Sequence, residues 1–567
     1  MPTSQAGISF YHPNGHLARP SNPFGKDIAN AALFRGLAQH GGFAEVAVLN
    51  QAGLTAEQLT TELALNAQAA ASTSVSAAPL WDTQLPKRTG ALLRGQPLLE
   101  ELAWIRRSAG LDQAYSLLGL IHSIAPPASR DLIGAAALAP THPWDALICT
   151  SPSVQQAMEE MFDRWAEHLT ARLGAQQLPR PQLPLIPLAV DVEALQQQRR
   201  DQQARSALRQ RLGVADDAVL VLWVGRLSYF EKAFPQSMFQ AVARAAERSG
   251  QKLHLALVGW FPGGNDDMRR YQQATEQLAP QLPVAVLDGN NPQTVAQSWA
   301  AADLFISLVD NIQETFGLTP VEAMAAGVPV VVSDWDGYRY TVRDGVDGFR
   351  IPTLASPGGA PGELLAHLHG GLRLETYQTY VGAVAQHTAV HIDQAAAAIA
   401  RLAAAPELRQ SMGEAAQLRA QSLFSWPQVT RQYSDLLAEL AQRRRHGDAL
   451  QASAGARLQP LRGEPFRDFR GFATHVLSDD LKLRLADGAA ADQLQQALAI
   501  ELNRTYPGVR ASNDEAQALL EQLQKQPAGL TVAALLDDAA REQRGYLETT
   551  LVWLAKLGLI DWLPPGE

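Results

Sequence analysis

Two carboxylates, Glu314 and Glu322, bracket the run Thr315-Phe-Gly-Leu-Thr-Pro-Val321. The run passes from a Phe316-Gly317 loop into a helix start, and the apolar stretch Val328–Ser333 then reads as a buried strand. Thr319 can cap the helix and Pro320 suits its first position. That reading puts Glu314 before the helix and Glu322 in its first turn. Backbone N–H groups at a helix start attract anions. A phosphate over Gly317–Leu318 would then have a carboxylate on either side to accept hydroxyl hydrogen bonds. This combination suits a sugar joined to a nucleotide diphosphate. The same residues have a blander reading. Thr319-x-x-Glu322 is also a capping box, in which Glu322 only bonds back to the cap, and Glu314 alone is an ordinary loop acid. The chemical reading rests on the whole run.

Arg226 and Lys232 follow the apolar stretch Val219–Val224. Strand ends in open α/β sheets line the ligand crevice, and a forked guanidinium with a compact ammonium can hold a diphosphate. Both would stabilise charge building on a leaving phosphate. Outside that setting they are two solvated loop charges.

The stretch from Glu314 to Glu322 resembles the E-x7-E motif of retaining family 4 glycosyltransferases. Val224-Gly-Arg-Leu227 with Lys232 is similar to that family's phosphate-binding arginine and lysine, and Asp344-Gly-Val-Asp-Gly-Phe349 to its D-G-x-x-G-F turn. Leu255–Gly259, Pro406–Gly413 and Phe424-Ser-Trp426 match further segments. The resemblance covers roughly residues 7–445 and is more specific in the second half of that span. One departure is Ala233, where relatives commonly have Gly or Asn.

The resemblance implies a GT-B fold, in which two doubly wound Rossmann-like domains face a cleft, and retaining transfer of a sugar from a nucleotide-diphosphate sugar. It assigns ribose binding to Glu322 and sugar hydroxyls to Glu314. Phe316, Gly317, Leu318 and Thr319 would lie beside the sugar and diphosphate, and Arg226 and Lys232 would neutralise the leaving group. It also implies a role near the donor sugar for His122, which ends an apolar run. Gly25, in the loop Pro20–Lys26, would allow close approach of backbone to the donor, although relatives often carry a Gly-Gly pair there. No cofactor and no metal are expected. The adjacent acids Asp266-Asp267 and Asp479-Asp480 read as solvated surface, and no His/Cys cluster has zinc spacing. The acceptor is left open among a glycan, a lipid-linked sugar and a protein.

Four segments are expected to position these residues. A first α/β domain spans 1–195 and carries the acceptor side. A second spans 196–425 and carries the donor side, with strands Val219–Val224, Leu253–Val258, Val284–Leu287, Leu304–Ser307 and Val328–Ser333. Their continuous apolar runs fit parallel strands buried on both faces. Residues 353–390 read as an insertion, and 426–445 as a closing helix that crosses back to the first domain. Residues 446–567 lie outside the resemblance and form an extra, small, mainly helical domain. Its helix, helix, strand order over 530–562 is similar to a winged helix. From Gly471 to Glu567 there are 8 Lys+Arg and 14 Asp+Glu, which favours self-association or a protein partner over DNA.

The length of 567 residues predicts about three domains. With 46% apolar and 18% charged residues the chain reads as globular, and a net charge of −10 argues against nucleic-acid binding. One cysteine, Cys149, fits a reducing cytoplasm. No secretory leader and no apolar stretch of membrane-spanning length are read, leaving at most peripheral membrane contact. Two other readings keep this fold or abandon its chemistry: a sugar phosphorylase or nucleotide-sugar epimerase, and a non-catalytic scaffold working through residues 446–567.

Overall fold

The computed structural model describes residues 7–13, 25–176, 178–372, 376–448 and 455–563. The chain divides into two compact units, Met1–Gln459 and Pro460–Glu567.

The larger unit contains two six-stranded parallel sheets. The first is built from β1 (Ile8–His12), β2 (Glu45–Asn50), β3 (Ser74–Ala78), β4 (Ala91–Arg94), β5 (Ser116–Leu120) and β6 (Ala146–Ile148). Its strand order is β3-β2-β1-β4-β5-β6. The second is built from β7 (Val219–Val224), β8 (Leu253–Gly259), β9 (Val284–Asp288), β10 (Leu304–Ser307), β11 (Val330–Ser333) and β12 (Gly348–Ile351), in the order β12-β11-β10-β7-β8-β9. Both are the same doubly wound pattern: the chain starts centrally, runs out to one edge, and returns to build the other half. In such sheets ligands sit beyond the carboxyl ends of the strands where the winding reverses. These two Rossmann-like domains are the halves of a GT-B fold. The expected strands of the second domain recur within one or two residues, because parallel strands covered on both faces leave continuous apolar runs.

The helix Trp426–His446 returns to the first domain. Its Val429, Tyr433, Leu436 and Leu440 share a core with Phe10 and Phe34, and Arg444 donates to Gly90 O at 3.0 Å and to Ser116 Oγ at 2.7 Å. A fully buried ion pair ties β5 to β6. Arg106 reaches both oxygens of Asp145 at 2.7 Å, and Asp145 also accepts from Leu117 N and His142 N, each at 2.8 Å. Such a pair holds only because every lone pair finds a donor. Cys149, just beyond β6, is buried in the same core, and burial pushes its thiol up to about 12.

The insertion at 353–390 is a folded module. An antiparallel pair, β13 (Thr353–Ala355) and β14 (Thr388–Val390), closes its base. Between them lie the helices Ala360–Ala366 and Tyr377–Ala385 and a π-type turn, His367–Gly371.

The smaller unit centres on β15 (Lys482–Leu485), flanked by β16 (Leu530–Thr531) and β17 (Ile560–Leu563) in an antiparallel sheet. Helices Asn513–Gln524 and Arg541–Lys556 pack Leu519, Leu520, Leu551 and Leu554 against Leu483 and Ile560. The helix, helix, strand order over 530–562 is present, with one correction. Leu530–Thr531 is strand and only Val532–Leu535 is helical, because Thr531 is extended and caps that helix through Ala534 N. Among the described residues no helix is long and apolar enough to cross a membrane.

Candidate active site

The expected donor side begins where β7 and β8 end together. Gly225 N donates to Val258 O at 3.0 Å and Leu227 N to Trp260 O at 2.9 Å. A Cβ on Gly259 would lie 1.9 Å from Gly225 O, so only glycine lets this loop run so close over the strand end. Arg226 therefore emerges buried, with Nη1 held by Glu231 Oε2 at 2.5 Å. The loop that follows is pinned at several points. Lys232 N donates to Ser228 O at 3.0 Å, Asn311 Nδ2 to Phe230 O at 2.5 Å, and Phe234 N to Asp310 Oδ2 at 3.4 Å. This projects the Lys232 ammonium to 3.3 Å from Glu314 Oε2. Lys232 is a third exposed, so the pair adds little to stability. What it does is place the expected phosphate cation and the expected sugar carboxylate in one site.

Beyond β10 the chain turns through Glu314 into the helix Leu318–Ala325. The expected cap is corrected here. Gly317, not Thr319, precedes the helix, at φ +89°, and no side chain caps it. The left-handed glycine starts the helix early, so Pro320 is its third residue and Glu322 its fifth, beyond the first turn. The Tyr338 ring fills the space beside Gly317, where a Cβ would meet Cε1 at 1.9 Å. Leu318 and Thr319 thus open a helix with no side-chain cap among the described residues, as an anion site requires. The Phe316 side chain is buried against Phe424, so its backbone rather than its ring borders the site. Glu322 lines a cavity of about 320 Å³ together with Leu318, Pro292, Trp299, Val190 and Ala32.

The first domain touches this loop directly. Thr315 Oγ1 donates to His122 O at 2.8 Å, Thr150 Oγ1 to Thr315 O at 3.3 Å, and Ser151 Oγ to Asp336 Oδ1 at 2.9 Å. His122 stands just past β5. Its backbone carbonyl meets the Glu314 loop, while its ring bonds to Asn30 Oδ1 at 2.7 Å on the helix Gly25–His40. Gly25 opens that helix. The loop before it falls within 14–24, outside the described residues, so the expected approach of Gly25 to a phosphate has no geometry here.

Two carboxyls at the site are pushed toward neutrality. Burial raises Asp310 to about 8, against the pull of the Phe234 N–H. Burial raises Asp336 to about 7, opposed by Ser151 and Ser153 and assisted by the charge of Glu314. Glu231, Asp310, Asn311, Thr315 and Asp336 were not read from the sequence as site residues. A signal existed for one pair: Asp310-Asn311 follows a buried run in an open α/β sheet, where polar residues face the crevice. Glu231 has no spacing signature. Among the described residues no group of three or more His, Cys, Asp or Glu could hold a metal ion.

Residues 204–357, which include Arg226, Lys232, Glu314 and Glu322, match the family described as glycosyl transferases group 1. Over these residues the match bears out the resemblance to a glycosyltransferase family. The chain is 36% identical over 154 residues to a D-inositol 3-phosphate glycosyltransferase of Geodermatophilus obscurus, covering 26% of this chain and 33% of that protein. It is 34% identical over 144 residues to an uncharacterized glycosyltransferase of Methanocaldococcus jannaschii, covering 25% and 34%. With a D-inositol 3-phosphate glycosyltransferase of Streptomyces griseus it shares 28% over 250 residues, covering 43% and 44%. The chain thus spans between a third and under a half of the length of these relatives. Among solved structures, Anabaena HepE in complex with UDP and glucose superposes with a TM-score of 0.48 at 18% identity, over 76% of this chain and 99% of that one. Sucrose-phosphate synthase from Thermosynechococcus elongatus gives 0.46 at 18%, over 76% and 98%.

Proposed function

We propose that the chain is a retaining, metal-independent glycosyltransferase that moves a sugar from a nucleotide-diphosphate sugar to an acceptor. The observation that carries the reading is the meeting of Lys232 and Glu314 at 3.3 Å, beside a helix start opened by Gly317 and next to the buried Arg226. Cation, carboxylate and helix start are the three elements that a sugar diphosphate needs. Arg226 and Lys232 take the diphosphate, with the backbone of Phe316–Thr319 beside it. Glu314 accepts from sugar hydroxyls and Glu322 from the ribose. His122, across the cleft, supports the reacting centre, and Gly25 lets backbone approach the donor.

In the reaction the acceptor hydroxyl attacks the anomeric carbon from the face that the diphosphate leaves. The bond between that carbon and the phosphate oxygen breaks as the new glycosidic bond forms, and the acceptor proton passes to the departing phosphate. The two cations and the helix start hold the charge that develops there, so no divalent ion and no cofactor are invoked. The acceptor is a glycan, a lipid-linked sugar or a protein. The unit from Pro460 onward serves self-association or a protein partner, and the setting is cytoplasmic with at most peripheral membrane contact.

The test is thermal stabilisation by UDP-, GDP-, ADP- and dTDP-sugars. A ligand at about 100 times its dissociation constant adds about 2.7 kcal/mol to stability. One donor should raise the melting temperature, and Glu322→Ala should abolish the response. No shift with any donor sinks the reading.

A further inference from the structure

The insertion carries a side chain to the site that no motif singles out. Gln378 Nε2 donates to Glu231 Oε1 at 3.3 Å, and the other oxygen of Glu231 holds Arg226. Gly382 packs on Phe230 of the Lys232 loop, where a Cβ would lie 3.1 Å from the Phe230 Cβ. On the other side Gly370 faces Pro127 of the first domain, with a built Cβ 3.5 Å from the proline Cβ. The module therefore spans from the Lys232 loop to Pro127, which opens the helix Pro127–Gly134 beyond His122. Tyr377 lies within this span. Its hydroxyl is buried and meets no hydrogen-bond partner among the described residues, in the field of Arg226 and Glu231. His369 stacks on Tyr380 at 4.7 Å and lies 6.2 Å from the Tyr377 ring, which braces the turn.

We propose that Tyr377 is a binding residue of the site, its O–H donating to the terminal phosphate of a nucleoside diphosphate held by Arg226 and Lys232. Burial raises the phenol well above its ordinary value, so it stays a donor wherever the protein is folded. A neutral donor beside two cations adds a directed hydrogen bond to an anion without adding repulsion between the cations. The inference rests on the donor-site reading above and deepens it, because the residue comes from the module that the sequence marks as an insertion.

The experiment is calorimetric titration of the full chain with UDP, GDP, ADP and dTDP and with the corresponding monophosphates. Tyr377→Phe removes one oxygen and leaves the packing. It should weaken the responding diphosphate about tenfold, the scale of one hydrogen bond to a charged group. It should leave the monophosphate within about twofold and the melting temperature unchanged. A wild-type chain that binds none of the diphosphates overturns the donor-site reading, and this inference with it. A wild-type chain that binds, paired with a variant that loses nothing or loses both nucleotides equally, overturns this inference alone.

Discussion

Replacing Asp310 by Asn should stabilise the protein, and by an amount that grows with pH. Asp310 is 3% exposed, one oxygen accepts the Phe234 N–H at 3.4 Å, and Oδ1 meets no donor among the described residues. Burial lifts its carboxyl from 3.8 to about 8. The unfolded chain ionises near the ordinary value, so folding takes up a proton between these two limits. Stability falls as pH rises through that window and levels off above it. Each pH unit within it is worth about 1.4 kcal/mol, so the whole window carries about 6 kcal/mol. The amide of Asn can keep the bond to Phe234 with its oxygen and has no proton to gain. Urea unfolding of both proteins from about pH 5 to about pH 8.5 isolates the group, because the other titrations, Asp336 included, are common to both. The stability difference should widen by about 4 kcal/mol across that range in favour of the variant. A difference that stays flat with pH refutes the argument, since it would mean that Asp310 ionises in the folded chain as it does in water.

Two further substitutions test the frame of the site. Gly317→Ala places a Cβ 1.9 Å from the Tyr338 ring at φ +89°. It should lower stability by about 3 kcal/mol and remove the response to a nucleotide sugar, read in one thermal-shift series, and an unchanged melting temperature rejects the geometry. Asp145→Asn leaves Arg106 buried without its counter-charge. It should cost about 3–5 kcal/mol in chemical denaturation, whereas a loss under about 1 kcal/mol would mean that the guanidinium finds water.

Much of the frame was legible because parallel strands write themselves as apolar runs, and β7 through β11 could be placed from those runs alone, whereas β12 begins inside the stretch read only as a turn. Lys232 and Glu314, which the fold brings to 3.3 Å, could be singled out because each lies in a loop that follows a strand of the second sheet. Helix starts were harder. Thr319-Pro320 carries good capping chemistry, yet Gly317 takes the position because the Tyr338 ring, distant in sequence, shapes the turn. Residues that act through a partner left no trace. Glu231 matters only because Arg226 and Gln378 meet on it, and Asp336 only because Ser151 arrives from the other sheet. Such pairings depend on tertiary contacts that spacing along one chain does not encode.

Cys149 carries a practical consequence. It is the single thiol of the chain, sealed beyond β6, and its proton is held up to about 12. Maleimides and disulfide reagents attack the thiolate, and they need to reach it. The native chain is therefore silent to them, and a cysteine introduced on the surface would react by itself. Glu57→Cys with Glu247→Cys, both at exposed positions and one in each Rossmann-like domain, would accept a dye pair with the native cysteine left in place. Any change in the separation of the two Rossmann-like domains could then be followed as an optical signal in the otherwise unaltered protein.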